Sequence, residues 1–259
     1  MRPFATFRQL HGETRLAARL EYGAGSLRIG PGEPAELYRM DLSYDEDRFV
    51  PLSDFDAVGG SVLLGLRAAG DAGVRVVSRN QLEQVAAVAF SPRVELALDL
   101  TLGAVDADVD FGGLRVGSVD LKTGASRSLV RFSKPNLTRC RRADFSAGAA
   151  ELTVIGLGNS RCDAIAFEGG MGKVTLDFSG AWTSSARVQV KMAVGELTLR
   201  LPRTVGVRIA MDKFLSRFAP VGLVLRGDEF VSSNYDRSQR KLDLDLTTAM
   251  GGVNVEWVE

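Results

Sequence analysis

Phe145-Ser-Ala-Gly-Ala-Ala-Glu-Leu-Thr-Val154 and Phe167-Glu-Gly-Gly-Met-Gly-Lys-Val-Thr-Leu176 are two successive copies of one pattern. In each copy, alternating apolar residues lead into a centre of small residues and then alternate again. A period of two is typical of strands that bury one face. The stretch therefore predicts pairs of short strands that meet at a bend of small residues.

The pattern occurs five times between Val94 and Met211, and we aligned the copies on one marker residue in each. The markers are Val105, Ser126, Ala150, Gly172 and Gly195, a spacing of about 22 residues. Two positions before the markers stand Gly103, Gly124, Gly148, Gly170 and Ala193. Repeats of this length are typical of solenoids whose copies stack. We predict an all-β fold, a single-stranded β-helix of about 22 residues per coil, with the bend held by the glycines two positions before the markers.

Two more copies lie outside this stretch. One spans Ala18 to Ile29, and the other surrounds Gly251 near the C-terminus, where it is expected to complete the last coil. We predict a smaller β-rich N-terminal region over residues 1–92 and the solenoid over residues 93–259. An irregular segment near residues 212–240 is expected to cap one end, because a solenoid exposes strand edges there.

Three short stretches have less decisive patterns. Residues 81–90 fit a helix or a strand, residues 74–77 read as a short strand, and residues 212–218 fit two helical turns.

The composition of the chain argues against several classes of function. Thirty-two basic and thirty-two acidic residues give a formal net charge of zero, which argues against a nucleic-acid partner. A single histidine, His11, makes catalytic triads and histidine metal sites improbable. No apolar run is long enough to cross a membrane, and no apolar leader begins the chain, so we expect a cytoplasmic chain as written. We assign no catalytic residue, cofactor or metal site.

One segment is basic and contains no acid. It is a candidate contact for an anionic polymer, lipid headgroup or acidic protein face, and the alternative is a solvated loop. Its residues are Arg131, Lys134, Arg139, Arg141 and Arg142, with Arg161 expected to stack nearby.

Acidic residues crowd the first copies and allow two further hypotheses. They are Asp99, Asp106, Asp108, Asp110, Asp120 and Asp144. Carboxylates suit calcium, but the fixed repeat of calcium-binding β-rolls is missing and alternate acids usually face solvent. A polysaccharide-cleaving enzyme would need two such acids in a groove with an aromatic platform, for which only Trp182 qualifies.

The cysteines test the stacking directly. Cys140 and Cys162 each lie eight residues before a small residue of the repeat, so they should occupy one column of adjacent coils. Their Cα atoms should then lie about 4.8 Å apart. We expect two stacked thiols in a reducing compartment and a disulfide in an oxidising one.

Several of these stretches together resemble the toast-rack family, which includes the C-terminal domains of LiaF-like proteins that respond to cell-wall-active antibiotics. The likeness rests on Tyr22-Gly-Ala-Gly-Ser-Leu-Arg-Ile-Gly-Pro-Gly32, on Leu37-Tyr38 and Tyr44-Asp45, and on the coils that end at Leu199-Arg-Leu-Pro-Arg-Thr-Val-Gly-Val207. It implies a single-stranded β-helix behind an N-terminal β region, a non-enzymatic scaffold or stress sensor at the bacterial envelope, and a protein or anionic envelope polymer as partner. The resemblance implies association with the envelope if this chain was trimmed from a longer precursor. A carbohydrate-binding or carbohydrate-cleaving β-helix is the alternative, and the oligomeric state is left open.

Overall fold

The computed structural model describes residues 1–69 and 84–259. Within these ranges sixteen strands form one continuous sheet, and two 3₁₀ helices, Leu157–Ser160 and Tyr235–Arg237, lie in the connections. The all-β prediction is confirmed.

The first eight strands are β1 (Arg2–Gln9), β2 (Arg15–Pro31), β3 (Glu36–Tyr44), β4 (Phe49–Asp56), β5 (Ser61–Ala68), β6 (Val85–Phe90), β7 (Glu95–Asp110) and β8 (Arg115–Thr123). The remaining eight are β9 (Arg127–Arg131), β10 (Cys140–Ile155), β11 (Cys162–Asp177), β12 (Ala186–Pro202), β13 (Gly206–Ala219), β14 (Leu223–Arg226), β15 (Glu229–Ser232) and β16 (Lys241–Val258).

Parallel pairing in register organises most of the sheet. The order β2, β7, β8 with β9, β10, β11, β12, β16 and β13 is parallel at every step. The marker residues of the alignment pair directly, as in Ala150 with Gly172, Gly172 with Gly195, and Gly195 with Gly251. The separate N-terminal copy also pairs as aligned, with Gly25 opposite Val105. The predicted columns are therefore confirmed.

Each long strand must double back on itself. β10 has 16 residues, and a straight strand of that length would span about 50 Å. The six residues that join β10 to β11 reach only about 20 Å. Because β11 nevertheless begins beside the start of β10, the strand bends at its centre. Its alternating apolar side chains, such as Phe145 and Leu152, are thereby buried inside the bend.

The tightest glycines of the bend lie in the marker column. Gly172 has φ 145° and Gly251 has φ 128°, and a Cβ on either would overlap the backbone oxygen of the residue beside it on the neighbouring strand. Gly148, in the column predicted to hold the bend, has no such φ, and a Cβ there would lie 3.3 Å from the nearest atom. In the C-terminal copies the prediction was therefore wrong by two positions.

Two expectations for the C-terminal end are also wrong. Residues 212–218 are not helical but belong to β13, whose backbone pairs with β16 along its length. The C-terminal strand β16 does not complete the last repeat, because it lies between β12 and β13. The repeat pattern could not show this. Copies joined by short connections stack in chain order, but a long connection separates β13 from β16 and allows another order.

A hairpin follows β13 in place of a wholly irregular segment. Strands β14 and β15 pair antiparallel, and β15 pairs with β13 over Arg208–Ala210. The ring of Phe230 in this hairpin meets Phe218 edge to face, with centroids 4.9 Å apart. The hairpin thus covers the outer edge of the first half of the last repeat.

The N-terminal region adds antiparallel strands to the other end of the stack. β1 pairs with β3, β3 pairs with β6, and β6 lies beside β2. Residues 85–90 of the ambiguous stretch are strand, whereas residues 81–83 and the predicted strand at 74–77 lie outside the described residues. The domain division near residue 92 stays a prediction, and the pairing of β2 with β7 carries the sheet across it.

Candidate functional site

The basic segment runs through the connection between β9 and β10. Arg131 ends β9, Lys134 and Arg139 lie in the connection, and Arg141 and Arg142 follow Cys140 at the start of β10. Arg161 precedes β11 one repeat later, at φ 56°, and its guanidinium donates to the carbonyl oxygen of Asn136, 3.2 Å away. The structure therefore brings Arg161 to this connection, as expected from the repeat.

Three of the basic side chains face carboxylates. Arg131 pairs with Asp108, and Arg139 pairs with Asp163 at 3.0 Å. These acids are 23 and 24 residues away in sequence, so they are supplied by the neighbouring repeats. Arg142 pairs with Asp144, and this hydrogen bond raises the pKa of the Arg142 guanidinium above its ordinary value. Stacking thus supplies acids for Arg131 and Arg139, and the next residues of β10 supply one for Arg142, in a segment that contains no acid of its own.

Lys134 and Arg141 differ from these three. Neither has a carboxylate partner among the described residues, and both side chains are exposed. They are the two positive charges of the segment that are most available to an anionic ligand. The anionic contact remains a prediction.

Two side-chain amides, one of them buried, hold the connection in place. The Nδ2 of Asn136 donates to the carbonyl oxygens of Val116 and Ser160, at 2.8 and 2.9 Å, and its Oδ1 accepts from the Val116 N–H at 2.9 Å. Asn136 is 1% exposed. The amide of Asn159 likewise joins Phe132 to Ala181. Because these amides tie three successive repeats together, the basic segment is anchored, which is unlike a freely solvated loop.

Sequence reasoning missed both asparagines. Their signal was present, since Asn136 and Asn159 each lie a few residues before a cysteine of the repeat. Asn136 lies four residues before Cys140 and Asn159 three before Cys162, and a polar residue that recurs near one position of a stacked repeat is a candidate for an amide that bridges repeats.

The cysteines lie at the edge of the same segment. Cys140 and Cys162 pair in register with Cα atoms 4.1 Å apart, so the predicted column is confirmed. The two residues form a disulfide and are buried, in contrast to the reduced thiols expected for a cytoplasmic chain.

Three of the six acidic residues, Asp108, Asp120 and Asp144, form ion pairs with basic side chains. Asp99, Asp120 and Asp144 lie side by side on β7, β8 and β10. Lys122 binds Asp120 at 2.7 Å, which raises the pKa of the Lys122 ammonium, and Arg19 stands opposite Asp99. Asp106 stands opposite Arg127, and Asp110 accepts from the Gly112 N–H at 2.8 Å. Within residues 1–69 and 84–259, no group of three or more such side chains is arranged to hold a metal ion.

Trp182 is packed on its own repeat. It is 9% exposed, stacks on Phe178 with centroids 6.5 Å apart, and donates from Nε1 to the Phe178 carbonyl oxygen at 2.7 Å. Its ring is therefore occupied in the fold and does not offer a platform for a sugar.

A second feature, an exposed row of apolar side chains, was not predicted. Met171, Val194, Met250 and Leu215 occupy one column of the neighbouring strands β11, β12, β16 and β13, immediately before the marker residues. Their exposed fractions are 62%, 37%, 51% and 60%. We call these four residues the apolar ridge. In the sequence, alanines at the same position in the earlier copies hid the signal.

Comparison with known proteins gives one family match and several similar solved structures. The model of the N-terminal domain of toast_rack, DUF2154, matches residues 6–155. The chain is similar to the crystal structure of a candidate cell adhesion protein from Clostridium sporogenes, with 16% identity, a TM-score of 0.50, and coverage of 99% of this chain and 100% of that one. A candidate adhesin from Bacteroides fragilis is 10% identical, with a TM-score of 0.39 and coverage of 98% and 97%. No curated protein matches significantly. In the described part of the chain, no helix has the length and apolarity needed to span a membrane.

Proposed function

Because the chain belongs to the toast-rack family, we propose that it is a non-enzymatic, envelope-associated β-solenoid module that acts through contacts with a protein or an anionic polymer. Its role would be scaffolding or stress sensing, as the resemblance to LiaF-like proteins implies. Residues that pair in register on β10 and β11 lie 22 positions apart in the sequence, which is the coil length we propose.

The observation that carries the contact is the anchored basic segment. Lys134 lies in the connection and Arg141 at the start of β10, both exposed, and Asn136 and the disulfide fix this segment to the neighbouring repeats. A rigid surface that presents exposed cations loses little conformational entropy when it binds a polyanion. Teichoic-type polymers and acidic protein surfaces share this chemistry.

The test is sedimentation of the purified protein with isolated bacterial envelope material, at low and at high salt. Saturable binding that weakens with salt supports the proposal, because screening acts on exposed charges. Release of reducing sugar from the same material would support the alternative, a carbohydrate-cleaving protein. It would overturn the proposal that the protein is not an enzyme. Absence of binding at low salt would overturn the envelope contact.

A further inference from the structure

The apolar ridge lies on the outer corner where the strands bend. Four large apolar side chains stand in neighbouring strands, and Phe214, which is 80% exposed, lies beside Leu215 at the end of the row. At about 4.8 Å per strand the ridge is roughly 14 Å long. Exposed apolar residues that are scattered singly need no explanation, but a contiguous row of them is a candidate contact surface.

Charged residues flank the ridge in a repeated arrangement. In three of its four strands, the residue three positions before the ridge and the residue two positions after it carry opposite charges. These pairs are Glu168 and Lys173, Lys191 and Glu196, and Asp212 and Arg217. All six are exposed. The sign reverses from β11 to β12 and again from β12 to β13, while β16 between them carries the uncharged Thr247 and Gly252 at these positions.

We infer that the ridge is the contact surface for a second copy of this chain, in a two-fold dimer whose axis runs parallel to the direction of strand stacking. Such an axis places each ridge residue opposite its own counterpart, so apolar side chains meet apolar side chains. It also places the residue three positions before the ridge opposite the residue two positions after the ridge on the same strand of the second copy. Each of the three pairs then meets its opposite charge twice across the interface.

The charges fix the register of this dimer. A shift by one strand places Glu168 of one copy opposite Glu196 of the other, and like charges at an interface are costly. An antiparallel arrangement centred on the ridge brings Glu168 opposite Asp212 and Lys173 opposite Arg217. The in-register parallel arrangement avoids both clashes. Its cost is a like-charged meeting of Lys122 with Arg127 beyond the ridge, which the symmetry also generates twice. Each of these residues already has an acidic partner in its own chain.

The contact is short, so the dimer is weak. Standard interfaces bury about 800 Å² on each partner, and a single convex row of five apolar residues offers less than that. We therefore expect reversible association, with a Kd of about micromolar or higher.

The decisive experiment uses Asp212 and Arg217, because their neighbours across the sheet, Thr247 and Gly252, are uncharged. Sedimentation velocity over a concentration series measures the dimer. Asp212→Lys and Arg217→Glu should each raise Kd by about tenfold or more, since each creates two like-charged meetings. The double variant Asp212→Lys with Arg217→Glu should restore the wild-type Kd.

Leu215→Glu should abolish dimerisation, and Val58→Glu, which alters a 99% exposed valine away from the ridge, should leave it unchanged. Circular dichroism melts show that each variant is folded. A wild-type protein that stays monomeric throughout the series overturns the inference. A double variant that associates no better than the single variants also overturns it.

Discussion

Cys140 and Cys162 begin two neighbouring strands at the same position of the repeat, and a buried disulfide joins them across 22 residues of chain. The cross-link joins the start of β10, within the basic segment, to the start of β11. It therefore ties the connection that carries Lys134 to the body of the sheet.

This disulfide should contribute substantially to stability. Closing a loop of 22 residues in the unfolded chain is worth about 3 kcal/mol in the chain-entropy account. A reducing agent should lower the free energy of unfolding by about that amount, as measured by urea denaturation. The variant Cys140→Ala with Cys162→Ala should be less stable and insensitive to reductant. Equal urea midpoints with and without reductant would contradict a bond in the folded protein.

The bend offers a matched pair of glycine substitutions. Gly172→Ala should destabilise the protein by about 1–3 kcal/mol, because its φ of 145° is strained for any side chain and the Cβ overlaps the Ala150 carbonyl oxygen. Gly148→Ala should cost clearly less, since its nearest contact would be 3.3 Å. Thermal melts of the two variants measure the difference, and the reverse order would place the tight column where the sequence first suggested.

Asn136→Ala should be among the most damaging substitutions of a polar residue. It leaves the N–H and carbonyl oxygen of Val116 and the carbonyl oxygen of Ser160 without their partner in the interior. Unsatisfied buried groups cost about 1–3 kcal/mol each, so we expect a loss of at least about 2 kcal/mol by urea denaturation. Asn254→Ala, at an exposed position of β16, is the control and should change stability little. Equal effects of the two substitutions would contradict a structural role for the amide.

The basic segment can be divided by its ion pairs. Lys134→Gln with Arg141→Gln should weaken retention on an immobilised polyanion more than Arg139→Gln with Arg142→Gln, although each double variant removes two positive charges. The reason is that Asp163 and Asp144 already balance Arg139 and Arg142. The salt concentration at elution measures the effect. If the two double variants elute together, net charge alone accounts for retention.

The alternation of apolar residues and the regular spacing of the copies determined the strands, their parallel register and the column of the cysteines. These features are visible in the sequence because each stacked copy meets the same environment, so the same residue types recur at the same positions. The basic segment and its nearness to Arg161 followed from the same spacing.

Only the tertiary structure decided where β16 inserts, which side chains pair, and which apolar residues stay exposed. β16 inserts between β12 and β13, although the hairpin β14–β15 separates β13 from β16 in the chain. The local sequence pattern of β16 does not encode which two strands it will pair with. Phe214, Leu215 and Phe218 match a helical face in sequence, but backbone pairing with β16 overrides that local preference. Asp108 and Asp163 neutralise arginines 23 and 24 residues away because stacking, and not sequence proximity, makes them neighbours.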